Sequence, residues 1–173
     1  MEKTSNKLEV YLDYICPFCY RAYQSLRAII PEYRDMVIDW RPCETHPRPD
    51  NYGKHSDLCI QGFFLCRDSG GDTTAYNDLM YKAVFVDHIN IEDTDELADY
   101  ASALIDPLKF REAIVSGKYK AELQANNNRA WAELRLEAVP SFRLGEKKLC
   151  AVLGVGVAED KLKKFLSECF KNR

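Results

Sequence analysis

The spacing of apolar residues along the 173-residue chain changes in a definite order. In LEVYLDY (8–14), Leu8, Val10 and Leu12 occupy alternate positions, which predicts a strand with those three side chains on one face. MVIDWR (36–41) predicts a second strand. Between them, Cys19, Tyr23, Leu26 and Ile30 recur at helical spacing from Pro17 to about Ile30, and Pro31 stands near the end. The chain therefore opens as β-α-β.

The middle has a different period. TTAYNDLMYKAVFVDHI (73–89) predicts a helix, TDELADYASALI (94–105) a second with Thr94 as N-cap, and DPLKFREAIVSG (106–117) a third. In the third, Asp106 is the cap, Pro107 the first helical residue and Gly117 the stop. A further helix is expected over about 118–135. Strand character returns in VPSFRLG (139–145) and KLCAVLG (148–154), joined by a tight turn through Gly145 and Glu146. Leu162, Phe165, Leu166, Cys169 and Phe170 then share one helical stripe. The order is β-α-β, helices, β-β-α. With no repeat, low-complexity run or Gly/Ser linker, residues 51–135 read as a helical insertion into one unit built from 1–50 and 136–173. Trp131, Phe142 and Phe170 are assigned to the core.

Composition narrows the partners. Apolar residues make up 46% of the chain, enough for a core that needs no disulfides. A formal charge of -3 without a long Lys/Arg block offers no electrostatic footprint for nucleic acid or an anionic membrane. The polar start MEKTSNKLEV lacks the apolar segment of a secretory signal, and no later run is long enough to span a bilayer, so the expected location is cytoplasmic. In that compartment seven cysteines, an odd number, read as free, catalytic or metal-bound.

Cys16-Pro17-Phe18-Cys19 is the candidate chemistry. A C-x-x-C arises readily by chance in so cysteine-rich a chain, so its position has to decide. It sits where the first strand gives way to a helix, with Cys16 at the N-cap, Pro17 at the first helical position and Cys19 one turn in. Free N–H groups and the positive helix end favour an anion there, which makes Cys16 the thiolate and Cys19 the resolving thiol of a redox pair. A zinc knuckle is the weaker reading, because Cys43, Cys59, Cys66, Cys150 and Cys169 contain no second C-x-x-C; an inert coincidence is weaker still. No metal is predicted. Asp13 reads equally as a proton relay and as a cap that orders the loop. Phe18, on an exposed turn, is expected to touch substrate, while Tyr20 and Tyr23 pack. His46 and His55 read as solvated residues of a polar loop, with a metal site shared with Cys43 or Cys59 as the lesser alternative. If HSDLCIQGFFLC is helical, Cys59 and Cys66 are too far apart to pair.

LDYICPFCY, WRPCETHP (40–47), LADYASALIDPLKFREAIVSGKY (97–119) and LEAVPSFRLG (136–145) together resemble the DsbA-like thioredoxin-fold oxidoreductases, within them the FrnE-like branch. The resemblance spans most of the chain. It implies an α/β thioredoxin-like fold (β-α-β, then β-β-α) with an inserted all-helical lid domain, and a Cys16–Cys19 dithiol facing a cis Val139-Pro140 loop whose backbone pairs with an extended substrate. Pro17, Phe18 and Val139 become substrate contacts, and Pro140 a site residue. The implied activity is thiol–disulfide exchange with a thiol- or disulfide-containing protein or small molecule. It needs no cofactor beyond the redox-active disulfide and leaves room for glutathione as co-substrate. The chain departs from the family at Cys43, where an aromatic residue is expected, at Ala138, where glycine is common, and in a short segment from about Asp50 to Gly71. Two rival functions remain. One is a glutathione-dependent transferase or isomerase of the kappa-class or hydroxychromene carboxylate type, which relies on serine where this chain has Cys16. The other is a zinc- or partner-binding module.

Overall fold

Val10, Tyr11 and Leu12 are each at most 2% exposed, because their strand lies inside the sheet with a neighbour on either side. In this computed structural model, which describes residues 6–170, that strand is β1 (Lys7–Leu12). It runs parallel to β2 (Val37–Pro42) and antiparallel to β3 (Ser141–Leu144), and β3 pairs with β4 (Lys147–Cys150). The sheet order is β2-β1-β3-β4. Parallel β1 and β2 need a crossover, and α1 (Pro17–Ile29) supplies it. Its buried residues Cys19, Ala22, Tyr23, Leu26 and Ile29 recur every three or four positions. Ile29, rather than the expected Ile30, completes the stripe, because the chain tightens into a 3-10 turn at Ile30–Glu32 where Pro31 intervenes.

Between β2 and β3 lie α2 (Asp57–Asp68), α3 (Thr73–Phe85), α4 (Thr94–Tyr100), α5 (Pro107–Ser116) and α6 (Lys120–Asn128). The cap of α5 is as read: the Asp106 carboxylate accepts from the N–H groups of Leu108 and Lys109, Pro107 is the first helical residue, and Gly117 closes the helix at a φ of 66°. In α4 the cap falls on Asp93 instead of Thr94. Its carboxylate accepts from the Glu96 N–H at 2.9 Å, which leaves Thr94 as the first helical residue. The helix expected over 118–135 is broken: α6 ends at Asn128 and continues as a π turn, Arg129–Glu133, closed by the Leu134 N–H on the Arg129 carbonyl. No helix among the described residues is long and apolar enough to cross a membrane.

The final hairpin is shorter than its sequence pattern. β4 stops at Cys150 where a strand through Gly154 was expected, because the chain doubles back on itself with Val152 bridged to Gly156 and both Gly154 and Gly156 at positive φ. α7 (Glu159–Phe170) follows and buries Leu162, Phe165, Leu166 and Cys169. Phe142 is 1% exposed as expected, whereas Phe170 is only partly buried, its ring 5.2 Å from that of Tyr33.

Candidate active site

The strand-to-helix junction is held by one carboxylate. Asp13, fully buried, accepts from the Ile15 N–H on Oδ1 at 3.3 Å, and from the Thr45 N–H and hydroxyl on Oδ2, both at 2.7 Å. Its two oxygens are thus occupied by loop donors, so Asp13 orders the turn and pins the segment after β2 against it. Its own N–H points at the Cys19 sulfur at 3.4 Å. The Cys16 N–H closes the turn on the Asp13 carbonyl at 3.2 Å.

Cys16 is the N-cap of α1, and its sulfur accepts from the Cys19 N–H at 3.2 Å. The two thiols are unpaired and sit in opposed surroundings: Cys16 is half-buried at the surface, Cys19 is 1% exposed. Hydrogen bonding from the Cys19 thiol lowers the Cys16 pKa below that of an ordinary cysteine, helped by backbone N–H groups and resisted by burial and by the Asp13 charge. Burial pushes Cys19 well above the ordinary value, and the neighbouring Cys16 pushes it further. The Cys16 thiol also faces the Val139 carbonyl at 3.8 Å, and the Val139–Pro140 peptide is cis.

A cleft of about 470 Å³ opens beside Cys16, lined on one side by Pro17, Phe18 and Val139 and on the other by the 44–47 segment and Trp131. Phe18 is not on an exposed turn. It is partly covered by the 152–156 loop, so close that a Cβ on Gly156 would lie 3.0 Å from the Phe18 Cβ, and the Arg21 guanidinium sits 5.3 Å from its ring centre.

Trp131, assigned to the core from sequence, instead forms part of the cleft wall: the π turn aims its indole N–H at the Glu44 carbonyl, 2.9 Å away. Glu44 is further clamped by Asn127, whose amide oxygen takes the Glu44 N–H and whose Nδ2 donates to Glu44 Oε2, each at 2.8 Å. Sequence reasoning missed Glu44, Trp131 and the Val152–Gly154 rim. The only hint for the rim was a pair of large apolar residues beside glycines that suit a turn better than a strand.

The other singled-out residues lie outside the chemistry. Tyr20 stacks on Phe85 at 5.0 Å and Tyr23 packs against Tyr81 at 5.0 Å, so both are structural as expected. Cys43 is fully buried, and burial followed by the charges of Asp13, Glu44 and Cys16 keeps its thiol protonated. His46 pairs with Asp50 at 3.1 Å. His55 is not solvated but 6% exposed, with Nδ1 at 2.8 Å from the His46 carbonyl. Among the described residues no cluster of three or more His, Cys, Asp or Glu side chains is arranged to hold a metal ion.

Residues 7–62 match the family model described as a DSBA-like thioredoxin domain. The Bacillus subtilis protein YwbO is 24% identical over 188 residues, covering 88% of this chain and 93% of that protein. A structure described as a probable DsbA oxidoreductase of Streptomyces coelicolor superposes with a TM-score of 0.80 at 17% identity, covering 96% of this chain and 91% of that one. A 2-hydroxychromene-2-carboxylate isomerase superposes with a TM-score of 0.73 at 16% identity, covering 96% and 95%. The chain thus has the DsbA-like thioredoxin fold, and that fold houses more than one chemistry, so the site must choose between them.

Proposed function

We propose that the protein is a thiol–disulfide oxidoreductase in which Cys16 is the nucleophile and Cys19 the resolving thiol. The observation that carries this reading is the opposition between the two sulfurs: one half-exposed, capping a helix and shifted toward thiolate, the other buried and held as thiol. In the reducing direction, the Cys16 thiolate attacks one sulfur of a substrate disulfide, forming a mixed disulfide and expelling the first substrate thiolate. Cys19 then loses its proton and attacks Cys16, which closes the Cys16–Cys19 bond and releases the second substrate thiolate. The substrate gains two electrons and the protein loses them. The oxidising direction is the same sequence reversed, with a substrate thiolate attacking the Cys16–Cys19 bond. Val139, facing Cys16, and the apolar flank formed by Pro17 and Phe18 supply the surface along which an extended substrate lies. No metal or organic cofactor enters these steps. The setting proposed is a thiol-reducing cytoplasm, in which the cysteines outside the 16–19 pair stay reduced.

The test is a pair of substitutions. Cys16→Ser should reduce a disulfide probe no faster than the uncatalysed background, while Cys19→Ala should accumulate a mixed disulfide on Cys16, seen by intact-mass spectrometry without reductant. Retained turnover in Cys16→Ser, or preferential alkylation of Cys19 in the wild type, would overturn the assignment.

A further inference from the structure

Resting on that reading of the site, we propose that Glu44 forms a cation subsite beside Cys16, so that the protein prefers disulfides flanked by basic side chains and handles anionic ones such as glutathione disulfide poorly. Glu44 is 5% exposed, yet the residue lines the cleft together with Cys16 and Val139. Asn127 satisfies Oε2 at 2.8 Å; Oε1 takes no hydrogen bond from the described residues and is not among the fully buried unpartnered atoms, so it stays open to solvent. A carboxylate this buried ordinarily has a cation or several hydrogen bonds, because taking the charge out of water is costly without them.

Among the described residues no lysine or arginine lines the cleft; its other ionisable groups besides Cys16 are Glu137, which is exposed, and His46, which pairs with Asp50. Behind the wall, Asp13 and Asp57 add like charge, with His55 as the group that opposes it. Asp57 has Arg48 at 3.5 Å, but among the described residues the Asp13 carboxylate is met only by the neutral donors of Ile15 and Thr45. Burial first, then the like charges, raise the Glu44 pKa, as an under-compensated carboxylate requires. A lysine or arginine next to the reacting cysteine would supply the missing charge-assisted bond at Oε1. A glutamate there, or the net negative charge of glutathione disulfide, meets repulsion in a partly water-excluded space.

Three short peptides test this, each with one cysteine activated as a 2-pyridyl disulfide and flanked on both sides by lysine, glutamine or glutamate. Reduced wild-type protein is mixed with each under single-turnover conditions, and release of pyridine-2-thione is followed by absorbance. The lysine peptide should react about tenfold faster than the glutamate peptide at low salt, equivalent to about 1.4 kcal/mol, with glutamine between them and the ratio shrinking as salt is added. Glu44→Gln retains an amide oxygen for Asn127 and should bring the ratio to about threefold or less, whereas Glu44→Asp should keep a ratio nearer the wild type. An unchanged ratio in Glu44→Gln, or no preference in the wild type, would overturn the subsite. Should Glu44→Gln fail to fold, the wild-type salt dependence decides, and a ratio flat in salt overturns it. Failure of the wild type to reduce any of the three peptides is a separate result, and it would sink the oxidoreductase reading itself.

Discussion

Replacing Asp13 by asparagine separates two roles that the sequence left equal. The carboxylate holds three loop donors, two of them at 2.7 Å and one at 3.3 Å, in a fully buried position. Asparagine can still offer one oxygen to Thr45, but its amide nitrogen then confronts the Ile15 N–H, donor against donor. Two charge-assisted bonds become neutral, at about 1 kcal/mol each, and one bond of about 1 kcal/mol is lost. Part of this is returned because a neutral amide is easier to bury than a charge, leaving a net destabilisation of about 2 kcal/mol. For a chain of this length that lowers Tm by about 4–8 °C. Cys16 should respond in the opposite sense. The Asp13 charge works against the Cys16 thiolate, so its removal moves the Cys16 titration to lower pH and raises the alkylation rate on the acid side of the midpoint.

Iodoacetamide labelling across pH reads the second effect and urea denaturation in excess reductant the first. Because the folded-state Cys16 pKa is depressed, its stabilising contribution is complete above the unfolded-chain value and is lost as pH falls through the folded value. The denaturation belongs below the labelling midpoint, where Cys16 is protonated in both proteins. Unchanged stability would refute the loop-ordering role. A normal titration combined with slow resolution of the mixed disulfide would reinstate the proton relay.

Three further outcomes follow from named contacts. Asn127→Ala strands both the N–H and Oε2 of buried Glu44 and should cost about 2–4 kcal/mol in urea denaturation, with a raised KM for peptide disulfides. Gly62→Ala drives a methyl group into the Tyr76 hydroxyl and to 2.5 Å from the Phe110 ring, both fully buried, and should lower stability by about 1–3 kcal/mol or more in the same assay. Mild oxidation followed by non-reducing peptide mapping should yield a 16–19 linkage and no 59–66 linkage, because both residues lie in α2 seven positions apart, about 10 Å along the axis, beyond the reach of a disulfide of about 7 Å between Cα atoms.

Sequence was most informative where a local rule had no competitor. Asp106-Pro107 and Gly117 bracket α5 because cap, first residue and stop each act through their own backbone, and Cys16 caps α1 for the same reason. Where two adjacent residues satisfy one rule, the pattern chose wrongly: Asp93 and Thr94 are both good caps, and only the hydrogen bond from Glu96 decides. Where long-range contacts set the outcome, periodicity was silent. Trp131 has the size and apolar character of a core residue, yet a π turn redirects it toward Glu44, 87 positions away in the chain. β4 looked longer because Val152 and Leu153 are apolar, although they are exposed on the rim of the cleft.

These long-range contacts make the helical segment part of the candidate site rather than a cover over it. Asn126 donates to the Pro42 carbonyl at 3.0 Å, Asn127 grips Glu44 from both sides, and Trp131 holds the Glu44 carbonyl, so α6 and its π turn fix the chain where it leaves β2. Thr45, the next residue, fastens Asp13, and the Asp13 N–H meets the Cys19 sulfur. Hydrogen bonds joined through the Glu44–Thr45 backbone thus link the inserted helices to Cys19. A thioredoxin-like sheet with α1 alone would retain the Cys-Pro-Phe-Cys turn and residues 44–45 but lose the Asn126, Asn127 and Trp131 contacts that hold those residues in place. In this chain the inserted helices contribute Trp131 to the far side of the cleft and brace the 42–45 segment that orders the loop behind the dithiol, so loosening α6 should disturb the cleft wall and the Cys19 surroundings together.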